Sequence, residues 1–200
     1  QEEKEQQARE KFLEQLEEVK RLHKERAKKD AMNGIVAEFI AHAQEQLSKA
    51  KRLMEELPDA EMVVGSEDDT QHQIGTDRAV PQWHAYAQSR GWEEEDGDAM
   101  RGQLVSYLAK QFEQLERDFP NRFKYGRLSY GDGNADLDKE PKDIVDTLKK
   151  QVLVWGANRA NVEGPDGQII EGGGQAEGVY RHHPYEVGII STPVEGLPFA

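Results

Sequence analysis

Oxygen donors at alternating positions are the first feature that could do chemistry. Asp132, Asn134 and Asp136 stand where ligands one, three and five of a calcium-binding loop belong. The pattern then fails. The sixth position, which needs glycine for its sharp turn, is Leu137, and the closing position is Asp143, shorter than a bidentate glutamate. These residues read as a polar turn followed by a helix start. His182 and His183 are neighbours, and neighbours on a strand point to opposite faces, so they do not grip one metal together. His72 and His84 have no ligand spacing. Gly172, Gly173, Gly174 and Gly178 lack the spacing of a dinucleotide fingerprint. There is no P-loop, no G-x-S-x-G and no H-E-x-x-H. With no cysteine, disulfides and thiolate chemistry are excluded. The expectation is therefore no catalytic, cofactor-binding or metal residue, no cofactor, and no small-molecule substrate. Carboxylates are plentiful, but nothing singles out a pair.

Charge is concentrated in one part of the chain. Of the net −13, −9 falls in residues 58–100, which hold 11 acids against Arg78 and Arg90 alone. Phosphate backbones are held by Lys and Arg, so an acidic chain without a basic stripe argues against nucleic acid. A basic protein partner or a solvated linker fits the segment better. No apolar run approaches the ~18 residues of a membrane span. Apolar content is 36% and mean hydropathy −0.88, low beside the typical ~45–50% apolar and suited to an extended or surface-rich protein. The chain begins at Gln1, which reads as a processed or trimmed segment, so the lack of a signal peptide carries no inference and localisation stays unassigned.

The elements that would position any site begin with residues 1–57, free of proline until Pro58. Met32, Val36, Phe39, Ala43, Leu47, Ala50, Met54 and Leu57 alternate at three and four residues, one stripe of a helix. Phe12, Leu16 and Val19 keep that spacing further up, but His23 and Arg26 follow. Asp30, Asn33 and Gly34 suggest a break near 30–34, since glycine costs about 1 kcal/mol against alanine inside a helix. An unbroken helix would run roughly 85 Å. Such an arm either folds back on its own domain or packs on another chain.

Residues 58–80 read as an acidic connection. Pro81 starts a short helix with Trp83 and Tyr86, followed by Trp92. These aromatics either pack on the body or form an interface anchor. Asp98 is a fair N-cap for a helix whose stripe is Met100, Leu104, Leu108, Phe112, Leu115 and Phe119, stopped by Pro120. Ile144, Leu148, Val152 and Trp155 favour a helix over 142–155, although Gln151–Trp155 would also suit a buried strand. From Ala157 the chain is rich in glycine and turn pairs, with Pro165, Asp166 and Gly167 as a turn, and reads as an irregular β meander.

The expected fold is α+β, mainly α: a helical arm (1–57), the acidic connection (58–80), a helical body (81–156) and a glycine-rich β or extended segment (157–200). The expected function is a non-enzymatic structural or accessory subunit of a large multiprotein assembly, held by its arm and extended segments. Val36, Phe39, Ala43, Leu47, Trp83, Tyr86 and Trp92 are the candidate contacts to other protein subunits. The alternatives are a stand-alone adaptor whose acidic segment binds a basic protein, and an enzyme with an unrecognised acidic site.

Overall fold

The computed structural model describes residues 1–66, 79–127, 141–158 and 184–193. The order of elements is α1 (Glu2–Glu56), β1 (Glu61–Ser66), α2 (Ala79–Ser89), α3 (Glu94–Asp118), β2 (Phe123–Arg127), α4 (Lys142–Leu148), β3 (Gln151–Asn158) and β4 (Glu186–Thr192). The fold is mainly α, with a small sheet and a long N-terminal helix. Residues 1–37 and 38–200 form two compact units.

The first unit is helix and nothing else. Residues 2–27 are exposed on every side, which propensity supports, since Glu, Gln, Lys, Arg and Ala dominate. Of the two expectations at residues 30–34, one kinked helix or two helices with a break, the break does not occur; α1 runs unbroken through Gly34. A single glycine costs about 1 kcal/mol, and the strong helix formers on either side carry the helix through it.

The second unit is built on a four-stranded sheet in the order β2-β1-β3-β4, every pair parallel. Residues paired across neighbouring strands share a face. Met62, Val64, Phe123, Tyr125, Val152, Val154, Val187 and Ile189 therefore lie on one side. Phe112 of α3 meets Phe123 and Tyr125 there at 6.2 and 6.3 Å between ring centroids. The helical stripe read from the sequence forms the core over this face: Met100, Leu104, Leu108 and Phe112 are at most 2% exposed. The opposite face carries Val63, Leu153 and Trp155, with the Glu61–Lys124 ion pair at its margin. β3 lies on the far side of β1 from β2.

Several other expectations are corrected. Residues 61–66 are a strand, not connection, and α2 starts at Ala79, ahead of Pro81. The helix expected over 142–155 ends at Leu148; Gln151–Asn158 is a strand whose residues Val152–Gly156 are consecutively buried. A parallel strand covered on both faces loses its alternation, and its apolar run then mimics a helix end. The described strand of the C-terminal segment, β4, pairs in parallel with β3, whereas a meander pairs antiparallel. The remaining calls on 159–183 and 194–200, the Pro165–Gly167 turn included, lie outside the described residues. Asp98 is not the N-cap of α3 either; that place is taken by Glu93, whose N–H donates to the Asp96 carboxylate at 2.9 Å.

Candidate functional site

Polar groups inside the second unit are mostly spent on holding it together. Arg122 donates to the carbonyls of Met54 (3.0 Å), Leu57 (2.7 Å) and Ala60 (2.9 Å), which tethers the end of α1 to the start of β2. The last carbonyls of a helix have no partner within it, and a guanidinium at that end satisfies them and suits the negative pole of the helix dipole. Trp83 donates its indole N–H to the carbonyl of Ser191 at 2.6 Å and sits 5.4 Å from the Phe39 ring, so α2 joins α1 to β4. His84 lies between Glu94 (3.3 Å) and Asp98 (2.6 Å), a link from α2 to the first turns of α3.

Between α1 and α3 runs a cleft of about 440 Å³, lined by Gln44, Lys51, Tyr107, Gln111, Gln114 and Asp118 among others. Lys51 reaches Asp118 at 3.2 Å. The hydrogen bond from Gln114, and then Lys51, holds the Asp118 carboxyl below its usual range, while burial pushes the Tyr107 hydroxyl up. The lining combines the amides of Gln44, Gln111 and Gln114 and the Lys51–Asp118 ion pair with the hydroxyls of Ser48 and Tyr107. Glu186 differs. Burial at the start of β4 pushes its carboxyl up to about 7, partly countered by Lys49.

No group of three His, Asp or Glu side chains that could hold a metal occurs among the described residues. The oxygen-donor run 132–138, the His182–His183 pair, His72 and the glycines 172–178 lie outside the described residues. No helix among the described residues is long and apolar enough to cross a membrane.

The sequence-derived interface residues fall into two groups. Val36, Phe39, Ala43, Leu47 and Trp83 are 0–6% exposed in the single chain, which leaves them no surface to offer. Tyr86 and Trp92 are half-buried and meet edge to face at 6.2 Å, with the Arg90 guanidinium 5.3 Å from the Tyr86 ring centroid.

Among the described residues, the large exposed hydrophobics are instead all in the first unit: Phe12 (62%), Leu13 (52%), Leu16 (39%), Val19 (49%) and Leu22 (51%). At 100° per residue Phe12, Leu16 and Val19 form one seam, and Leu13 and Leu22 flank it on either side. The reverse face carries Glu18, Arg21 and Glu25, bonded along the helix at 2.6 and 2.8 Å. The Arg21 hydrogen bond holds the Glu18 carboxyl below its ordinary value. One face of this helix is thus satisfied in water and the other is not. The sequence carried the signal in the spacing of Phe12, Leu16 and Val19, but the fuller stripe from Met32 onward outweighed it. No family model matches the chain, and no similarity to a curated protein or a solved structure was found.

Proposed function

We propose that the protein is a non-catalytic subunit of a multiprotein assembly, and that the apolar seam of the first half of α1 is one of the protein contacts that build the particle. The observation that carries this reading is the group of five large apolar side chains, 39–62% exposed, within two heptads of a helix that buries none of them. Scattered exposed leucines need no explanation, but a contiguous seam backed by a charged face with the Glu18–Arg21–Glu25 ion pairs is the pattern of a helix that docks. The acidic-adaptor alternative has less support, because Asp96, Glu94 and Asp98 already have intramolecular partners.

The test is the size of the native particle. Isolated under gentle conditions, the wild-type chain should travel in a complex larger than any oligomer of itself. Leu16→Lys should make that complex smaller while leaving the chain's thermal unfolding unchanged, since Leu16 supports no core. Identical particle size for both proteins would sink the reading.

The strand order favours a second reading. The direction of chain progression reverses between β1 and β3, and open parallel sheets bind ligands beyond the carboxyl ends of the strands at such a switch point. This is a fold-level argument only. Thermal-shift measurements against nucleotides and sugar phosphates would remove it if no compound raised the melting temperature.

A further inference from the structure

We infer that the partner of this seam is a second copy of the same helix, paired antiparallel over residues 2–26. The inference rests on the reading of that face as an interface and names its occupant. The argument is charge complementarity within the sequence itself. Assigning Phe12 and Val19 to one kind of core position of a two-stranded coil, and Leu16 to the other, brings Glu2, Glu5, Arg9, His23 and Arg26 into the same seam.

In a parallel pair each of these meets its own copy. Glu2 then faces Glu2, Glu5 faces Glu5, Arg9 faces Arg9 and Arg26 faces Arg26, four like-charge layers in one short coil. In an antiparallel pair the seam has a register that removes every one of them. Phe12 lies opposite Leu16, and Leu16 opposite Phe12, on either side of the two-fold axis. Arg9 lies opposite Val19, where its methylene stem covers the valine and its head group reaches water. Glu5 lies opposite His23, and Glu2 opposite Arg26. The two copies of Leu13 then meet beside the central layers, and Leu22 comes beside Ala8. All these side chains are exposed in the single chain, so the pairing displaces no existing contact. Glu18, Arg21 and Glu25, bonded to one another, fall on the outer face.

The apolar part of this seam is short, so the dimer should form in the micromolar range. The full chain, followed by sedimentation from about 1 to about 100 µM, should pass from monomer to dimer. Leu16→Lys places a charge in both central layers and should weaken the dimer at least ~100-fold, with helical circular dichroism and melting temperature unchanged. Direction is read by disulfide trapping, which the absence of native cysteine makes clean. Glu2→Cys chains mixed with Arg26→Cys chains should cross-link to each other, and neither should cross-link to itself. Self-linking of each variant would establish the parallel pair and overturn the proposal. A wild-type chain that stays monomeric throughout would also overturn it, while leaving the native-particle test to decide separately whether the face docks on another protein. A dimer that survives Leu16→Lys would place the contact elsewhere and likewise end the proposal.

Discussion

Gly97 should be the least replaceable glycine of the described structure. It lies buried in the first turns of α3, where α2 crosses it. A methyl group built on its backbone would stand 2.8 Å from the Trp83 carbonyl oxygen, 3.0 Å from the carbonyl carbon and 3.1 Å from the His84 nitrogen. All three are backbone atoms, so no side-chain rotation relieves the overlap; α2 as a whole must retreat. That helix is held at the same residue from two other directions, by the Phe39 ring at 5.4 Å and by the Ser191 carbonyl at 2.6 Å. Gly102 lies five residues along the same helix, exposed, with nothing within 4 Å of the added methyl.

The two substitutions should therefore have opposite signs. Gly102→Ala gains the helix propensity of alanine, about 1 kcal/mol. Gly97→Ala gains the same amount and sets it against overpacking, which costs about 1–3 kcal/mol and more where backbone is the obstacle. A net loss of about 2 kcal/mol is expected, which puts the two variants about 3 kcal/mol apart. Urea unfolding followed by circular dichroism measures the difference, and the fluorescence of the fully buried Trp83 reports whether α2 has moved. A Gly97→Ala protein as stable as Gly102→Ala would refute the close approach of α2 and α3.

Two further outcomes follow from named contacts. Arg122→Met should lower stability by about 2–4 kcal/mol in the same urea assay, because three carbonyls at the end of α1 and beyond lose a charged donor at a part-buried site. Glu186 should make stability fall with rising pH: its carboxyl is raised to about 7 in the folded chain against 4.5 as the reference, so the native state binds the extra proton between those values. The penalty is absent below about pH 4.5, grows through the interval and is complete above about pH 7, reaching about 3 kcal/mol at most; Glu186→Gln should flatten that slope, and an unchanged slope would show that the carboxyl is not desolvated.

The helices were legible because their packing is one-sided. Met100 through Phe119 repeat every three or four residues, and each of these positions is buried. The strands were not legible, for the complementary reason. In β3, Val152, Leu153, Val154 and Trp155 are covered on both faces, so no alternation survives to distinguish them from the helical turns before them. β1 is six residues, EMVVGS, closed in by acids on both sides, and its burial depends on β2 and β3, which come from far along the chain. Nothing local announces such a strand. The contacts that set the polar architecture, Trp83 to Ser191 and Arg122 to Met54, join residues 108 and 68 positions apart and follow only once the sheet order is known.

The two halves of α1 show why apolar strength alone points to a buried surface. The stripe from Met32 to Met54 is unbroken, and a complete stripe is what a chain buries first against itself: Val36, Phe39, Ala43, Ala50 and Met54 are at most 2% exposed. The stripe from Phe12 to Val19 gives way to His23 and Arg26, so it was the weaker helical signal. That defect is also what lets the segment remain in water before it finds a partner. An interface that must exist both free and bound has to carry polar groups along its length, and it places them where the partner can answer them. In the antiparallel pair inferred above, Arg26 and His23 would weaken the seam as a core and strengthen it as an address, since they come opposite Glu2 and Glu5 of the other copy. A helix selected only to be buried would have no use for that match.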